Sequence, residues 1–167
     1  MKAISNRSKF KFKVAGLFCI SIVEASMNEN WQYQIRFKLP SALAEAARIG
    51  ARDGAYKYVA DVLERHNAEA ICQFDAFAGY VAEAEEHGIE NYPLYKWTKA
   101  TIEDPDKKSK HLLSFAIHIN GDEIYDQNLA EAVEQDLRPL LENGTLLTLT
   151  KHDTNPAKNP QPPEHLR

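Results

Sequence analysis

The sequence predicts an α+β fold built on an antiparallel β-sheet. Residues 92–119 read as a long β-hairpin, because two segments of β-type pattern flank a charged, turn-forming connection at residues 104–110. Residues 31–38 alternate strictly between apolar and polar side chains, which is typical of a half-buried strand. Segments of helical periodicity lie before and after the hairpin, so helices are expected to cover one face of the sheet.

The second arm of the predicted hairpin, residues 111–119, presents two different faces. Its apolar face is formed by Leu113, Phe115, Ile117 and Ile119, and its more polar face by Leu112, Ser114, Ala116 and His118. The first arm is rich in aromatic and β-branched side chains such as Tyr95 and Trp97, which suit a pleated surface. This pattern indicates a sheet with one face on the core and one face toward solvent.

Residues 31–38 form the clearest predicted strand. Its core face would hold Trp31, Tyr33, Ile35 and Phe37, and its polar face Gln32, Gln34, Arg36 and Lys38. Pro40 then ends the strand, and Ser41 is the N-cap candidate for a helical segment that reaches Asn67. Gly50 and Gly54 each disfavour helix by about 1 kcal/mol. We therefore expect a break near Asp53 and two helices.

The remaining predicted elements are two helices and a strand. Residues 69–87 carry an apolar stripe formed by Ala70, Phe74, Phe77, Val81 and Ala84. Residues 127–142 form a helix that contains Pro139 near its end, and Asn143-Gly144 stops it. Residues 146–151 form the last strand, with Leu147 and Leu149 inward and Thr148 and Thr150 outward.

The predicted order of elements is a strand, a helical segment, two strands, a helix and a strand. This is the split βαβ, or ferredoxin-like, arrangement with an enlarged first helical connection and helices packed on one face of a four-stranded sheet. The opposite face would be polar. We call it the polar sheet face, and its predicted members are Gln34, Arg36, Lys96, Ser114, His118, Thr148 and Thr150.

The predicted elements divide the sequence into three regions and predict which residues form the core. Residues 1–26 form an N-terminal extension, residues 27–153 a single α+β domain, and residues 154–167 a disordered, proline-rich tail. The expected core residues are Trp31, Tyr33, Ile35, Phe37, Phe74, Phe77, Phe115, Ile117, Leu137 and Leu149. The basic start and the apolar run at residues 14–23 resemble a secretory signal peptide, with a start at Met27 as the alternative. The protein is expected to be cytoplasmic, or exported if residues 1–25 are a signal.

Composition limits the classes of function. A chain of 167 residues with 44% hydrophobic residues suits one domain, and its two cysteines are too few for a disulfide scaffold. Residues 27–153 carry 13 Lys and Arg against 22 Asp and Glu, a difference of −9. Such a domain would repel a phosphate backbone, so nucleic-acid binding is disfavoured. No apolar stretch of the sequence is long enough to span a bilayer.

Several groups of reactive side chains match no established motif. One group is His118, Asp122, Glu123 and Asp126, and another is Glu103, Asp104, Asp106 and His111. Neither has the spacing of a metal site, so ordinary turn carboxylates are the favoured interpretation. Cys72 with His66 could be a nucleophile and its base, but a buried, apolar thiol is favoured. We predict no catalytic residue, no metal site and no cofactor.

One basic and aromatic patch lies in the predicted hairpin. It consists of Lys96, Lys99, Lys107, Lys108 and Lys110 with Tyr95 and Trp97. Aromatic side chains on an open sheet bind RNA in some ferredoxin-like domains. The expected glycine-aromatic signature is absent from the sequence and the surroundings are acidic, so RNA binding is the weakest hypothesis. A charged hairpin that aids solubility is favoured.

The leading functional expectation is a non-catalytic protein that binds a protein partner. It would be a small acidic regulator, inhibitor or immunity-type protein that uses the polar sheet face, with a homodimer through that face as a second possibility. The alternative is a small enzyme or ligand-binding protein that uses the same face. A second interaction patch is Glu83, Glu85 and Glu86, where a helix dipole disfavours negative charge.

Overall fold

The computed structural model describes residues 32–155 and 158–159. The strands are β1 (Tyr33–Lys38), β2 (Ala68–Cys72), β3 (Ser114–Ile119) and β4 (Thr148–Asp153). The helices are α1 (Ser41–Arg48), α2 (Lys57–Arg65), α3 (Gln73–His87), α4 (Tyr95–Glu103), α5 (Pro105–Leu112) and α6 (Gln127–Glu142), with 3₁₀ turns at Gly54–Tyr56 and Ile89–Asn91. The predicted N-terminal extension and Trp31 lie outside the described residues.

The four strands form one antiparallel sheet in the order β2-β3-β1-β4. This confirms the predicted α+β class and the ferredoxin-like arrangement, in which the first and third strands are the central neighbours. The predicted helix break is also confirmed, because Gly54 has a φ of 58° and begins the 3₁₀ turn between α1 and α2. The first connection thus holds two helices, but Ser41 is not the cap of α1, since Pro40 occupies that position.

The predicted hairpin is wrong in its first arm. Residues 92–112 contain α4 and α5, so β3 has no hairpin partner immediately before it. The Asp104 side chain accepts hydrogen bonds from the N–H groups of Asp106 (3.0 Å) and Lys107 (3.1 Å), and Pro105 takes the first helical position. Aspartate at the cap followed by proline is a strong helix start, and here it prevails over the alternative interpretation as a turn.

The second strand of the sheet comes from a segment that was predicted to be the start of a helix. Asn67 has a φ of 48° and ends the turn after α2, and residues 68–72 then pair with β3. Ala70 therefore lies on an edge strand opposite Ile117, and α3 begins only at Gln73. The connection from β2 to β3 contains three helices and is the largest of the three helical connections.

The core lies between one face of the sheet and helices α1, α2 and α6. Its buried residues include five of the predicted ones: Ile35, Phe37, Phe115, Ile117 and Leu137. The rings of Phe37 and Phe115 stack with centroids 5.6 Å apart, which joins the two central strands. Three other predicted core residues, Tyr33, Phe74 and Leu149, are partly buried against this cluster.

A separate apolar contact holds helices α3, α4 and α5 together. Phe77 was predicted to belong to the main core, but it packs edge-on against Trp97 (5.8 Å between centroids) and His111 (5.1 Å). The β-branched residues Thr98 and Thr101 are buried on the inner side of α4. Tertiary packing thus accommodates in a helix the residues that had indicated a strand.

The last strand, Thr148–Asp153, begins and ends two residues later than predicted, and part of the predicted tail is hydrogen-bonded beyond it. Leu146 is buried, but Leu147 is 52% exposed, so the prediction that Leu147 points inward was wrong. Beyond Asp153, the N–H and hydroxyl of Thr154 donate to the carbonyl of Gln32, at 3.1 and 2.8 Å. Lys158 forms an ion pair with Asp153 at 2.6 Å. Hydrogen-bonded structure therefore extends past the predicted boundary, and residues 156–157 and 160–167 of the predicted tail lie outside the described residues.

No helix within residues 32–155 has the length and apolar character needed to cross a membrane.

Candidate binding site on the polar sheet face

The register of the strands arranges the polar sheet face in rows. Arg36 lies opposite Thr150 on β4 and opposite Ala116 on β3. One step further along the strands, Gln34 pairs with His152. At the same level, His118 on β3 pairs with Glu69 on β2. Because cross-strand neighbours lie about 5 Å apart, Arg36 is surrounded by short side chains in its own row and by polar ones in the next.

Six of the seven residues predicted for this face do lie on the sheet, at positions that share one face. They are Gln34, Arg36, Ser114, His118, Thr148 and Thr150. Lys96 does not lie on the sheet, because it is exposed on α4. Ser114 is buried, and its hydroxyl donates to the carbonyl of Lys110 at 2.9 Å. This hydrogen bond joins β3 to α5.

A loop covers one end of the polar sheet face. Gln34 is only 2% exposed, and its side-chain amide donates to the Glu123 carboxylate at 2.8 Å. The Arg36 Nε in turn donates a short hydrogen bond to the Gln34 amide oxygen. These two hydrogen bonds link Glu123 to Gln34 and Gln34 to Arg36. They use the Nε of the Arg36 guanidinium and leave its two Nη groups for other contacts.

Burial lowers the pKa of three groups on this face. The pKa of Arg36 is lowered by burial, although the negative charge of Glu123 opposes this effect. Burial also lowers the pKa of His118, against the opposing charges of Glu123, Glu69 and Asp122. The pKa of His152 is lowered first by burial and then by the positive charge of Arg36. Both imidazoles are therefore neutral at neutral pH, and the guanidinium keeps its charge.

Tyr125 is inserted between the two central strands next to this face. Its hydroxyl accepts the N–H of Ile35 at 2.7 Å and donates to the carbonyl of Ile117 at 3.4 Å. Its backbone also exchanges both hydrogen bonds with Tyr33, at 2.8 and 3.0 Å. The direct pairing of β1 with β3 covers only three positions, starting at Arg36, and Tyr125 replaces the rest of the ladder.

Burial raises the pKa of Tyr125 to about 12, so the folded state resists loss of the phenolic proton. A group whose pKa is raised on folding contributes stability below its unfolded pKa and loses that contribution as the pH rises through the folded value. We expect the free energy of unfolding to fall between about pH 10 and pH 12. Tyr125→Phe should make this decline shallower in urea titrations. An unchanged slope would contradict the assignment.

Sequence reasoning missed His152 and Tyr125, and it treated Glu123 only as a turn carboxylate. His152 continues the outward alternation of Thr148 and Thr150, so extending the last strand by two residues would have found it. Glu123 and Tyr125 lie in an irregular segment between β3 and α6, where no periodicity indicates a direction.

The second predicted patch has its own partners. Glu85 accepts hydrogen bonds from Lys99 at 2.7 Å and from Tyr95 at 2.8 Å, so its charge is neutralised within the helical unit. Glu83 is half-buried and Glu86 is exposed. The three carboxylates therefore do not act as one uncompensated acidic surface.

The reactive groups considered in the sequence do not form a metal site within the described residues, and several of them have other partners. Within residues 32–155, no three His, Cys, Asp or Glu side chains are placed to hold a metal ion. Asp126 instead caps α6 by accepting the N–H of Leu129 at 3.0 Å. His66 contacts Asp136 at 2.9 Å rather than Cys72. Burial raises the pKa of the Cys72 thiol, which makes it a poor nucleophile at neutral pH.

The fold and this face define an α+β protein with ferredoxin-like strand order and a half-buried polar sheet surface. Comparisons with models of known protein families, with curated proteins and with solved structures gave no match.

Proposed function

We propose that this chain is a non-catalytic binding protein that holds a protein partner on the polar sheet face. The observation that carries the proposal is Arg36, a half-buried guanidinium on a sheet face, with no carboxylate within 4.0 Å among the described residues. A charge in that position is costly when it is left without a counter-charge. A partner that supplies the counter-charge would make the arrangement favourable, as expected of a regulator, inhibitor or immunity-type protein.

The distribution of charge on the face supports a protein partner with a mixed surface. Arg36 and Lys38 are positive on the central strand β1, whereas Glu69 and Asp122 are negative on the β2 side. Complementary placement of opposite charges fixes the register of a complex and suppresses wrong partners. A second copy of this chain is a weaker candidate, because residues 27–153 carry 13 basic against 22 acidic residues and two copies repel each other.

A specific observation favours a second candidate, a small enzyme or ligand-binding protein that uses the same face. His118 and His152 are half-buried imidazoles with lowered pKa values on either side of Arg36. Perturbed ionisable groups of this kind cluster at functional sites. Capture of a small molecule rather than a protein by the polar sheet face would favour this candidate.

The structure gives less support to RNA binding. That hypothesis required aromatic side chains on an open sheet, but Tyr95 and Trp97 lie on α4. Trp97 packs against Phe77, and Tyr95 donates to Glu85. Neither ring is placed as a stacking platform on the sheet.

The proposal predicts that the double variant Arg36→Ala/His118→Ala loses affinity for the partner and keeps its fold. The partner would be captured from the native host, identified by mass spectrometry and purified for direct titration. Removing the central charged group of an interface typically costs about 2 kcal/mol or more, so we expect a loss of about thirtyfold or more in affinity.

The matched control is Arg138→Ala/His87→Ala, because both side chains are exposed on helices away from the sheet. This control should bind the partner as tightly as the parent, and urea denaturation should show that all three proteins are folded. Parental affinity in the Arg36/His118 double variant would show that the partner does not use the polar sheet face.

A further inference from the structure

We infer that the polar sheet face carries a site for a single carboxylate, bound by the Nη groups of Arg36. The inference rests on the proposed function and deepens it, because it names the chemical group through which the partner is held. The occupant would be a carboxylate of a protein partner, either an Asp or Glu side chain or a C-terminus.

Arg36 differs from the other arginines that the structure describes. Of the five described arginines, four have a carboxylate oxygen within 4.0 Å: Arg48 with Asp75 at 2.7 Å, Arg52 with Glu64 at 3.9 Å, Arg65 with Asp136 at 3.5 Å and Arg138 with Glu134 at 3.0 Å. The fifth is Arg36, which is half-buried, whereas the other four are exposed. Among the described arginines, the most buried one, Arg36, is thus the one without a carboxylate partner.

The guanidinium of Arg36 is held in place before any ligand arrives. Gln34 is buried and accepts from the Nε of Arg36, and its own amide is fixed by Glu123 at 2.8 Å. Gln34 is neutral, so it orients Arg36 without neutralising it. An oriented arginine loses less conformational entropy when it forms the two parallel hydrogen bonds that bind a carboxylate.

Only short side chains lie beside Arg36 on the two neighbouring strands, which leaves room for a ligand. Its neighbours in the same row are Thr150 on β4 and Ala116 on β3, which are both short side chains. Thr150 is exposed, so one side of the guanidinium is open to a partner. Neutral His118 and His152 lie in the next row, on the strands to either side of Gln34, and can donate further hydrogen bonds to an oxygen ligand.

The charge around Arg36 favours a carboxylate over a phosphate. Glu123 lies close enough to affect the pKa of Arg36, and Glu69, Asp122 and Glu123 all act on His118. One guanidinium balances the single charge of a carboxylate, and Lys38 is exposed in the row on the other side of Arg36 from Gln34 and Glu123. A phosphate dianion would bring a second negative charge into a region that already holds three carboxylates.

The test is a titration of the full-length protein with sodium acetate at constant ionic strength, followed by NMR of the Arg36 Nε–H and of the His118 and His152 rings. We expect saturable chemical-shift changes with a dissociation constant in the millimolar range, which corresponds to a binding free energy of about −4 kcal/mol or weaker. Inorganic phosphate should bind about tenfold more weakly under the same conditions. Linear shifts without saturation, or phosphate binding as tight as acetate binding, would overturn the inference.

The discriminating variant is Thr150→Glu, with Thr150→Gln as its matched control. The new carboxylate would lie directly opposite Arg36 in the sheet and would occupy its Nη groups. Acetate binding should fall by about tenfold or more in Thr150→Glu and stay near the parent in Thr150→Gln. Since Thr150 is exposed, both variants should fold. Equal acetate affinity in the two variants would place the anion away from Arg36.

These outcomes separate the carboxylate site from the proposed function. If acetate fails to saturate but the Arg36/His118 double variant still loses the partner, the polar sheet face is the interface and the carboxylate inference is wrong. If acetate binds as expected but the double variant keeps the partner, the site exists and the proposed function is wrong.

Discussion

Replacing Phe115 with alanine is expected to lower the free energy of unfolding by about 3–5 kcal/mol. Phe115 has no exposed surface, and its ring stacks on that of Phe37 at 5.6 Å in the middle of the sheet. The substitution removes the buried apolar surface of the Phe115 ring. It leaves a cavity beside Phe37 in the core that the paired strands β1 and β3 cannot move to fill. Urea denaturation of the two proteins measures the difference.

The control for this variant is Leu147→Ala, because Leu147 is a large apolar residue that is 52% exposed just before β4. Its replacement should cost no more than about 1 kcal/mol, since most of its surface already meets water. A loss of less than 1 kcal/mol in Phe115→Ala would mean that β3 presents its other face to the core.

Replacing Tyr125 with phenylalanine is expected to cost about 1–3 kcal/mol, although it removes only one oxygen atom. That oxygen accepts the N–H of Ile35 and donates to the carbonyl of Ile117, and both of these residues are fully buried. Without it, a buried backbone donor and a buried acceptor both lose their partner. Urea denaturation gives the cost, and hydrogen exchange at the Ile35 amide should become faster.

Tyr58→Phe is the matched control, because the Tyr58 side chain is 63% exposed on α2 and its hydroxyl meets solvent. This variant should match the parent within about 0.5 kcal/mol. Equal stability of Tyr125→Phe and the parent would show that β1 and β3 close directly against each other when the hydroxyl is removed.

The sequence predicted those parts of the fold in which periodicity has a single meaning. β1 and β3 alternate strictly, and α6 has a continuous apolar face between Asp126 and a clear stop at Asn143. The predicted hairpin failed because Asp104-Pro105 can begin either a turn or a helix, and only packing against α3 decides between them. β2 was missed because residues 68–72 are short and fit the helical spacing that follows.

The candidate site was predictable in one part and not in another. Side chains alternate between faces with a period of two, so the placement of Arg36, His118 and Thr150 on one surface follows from the strands alone. The contacts that hold Arg36 come from the loop before α6, and the path of a loop depends on tertiary contacts rather than on local pattern. This is why Glu123 entered the sequence interpretation only as a turn residue.

The insertion of Tyr125 has a consequence for the mechanical behaviour of the sheet. Where β1 and β3 are joined through the Tyr125 side chain, the middle of the sheet has a seam without direct backbone pairing, and we expect this seam to open before the three backbone-paired positions that start at Arg36. The Glu123–Gln34 contact crosses one end of this seam at 2.8 Å. If a partner binds Arg36 as proposed, we expect it to hold this contact in place and keep the seam closed, so that hydrogen exchange at the Ile35 amide becomes slower on binding.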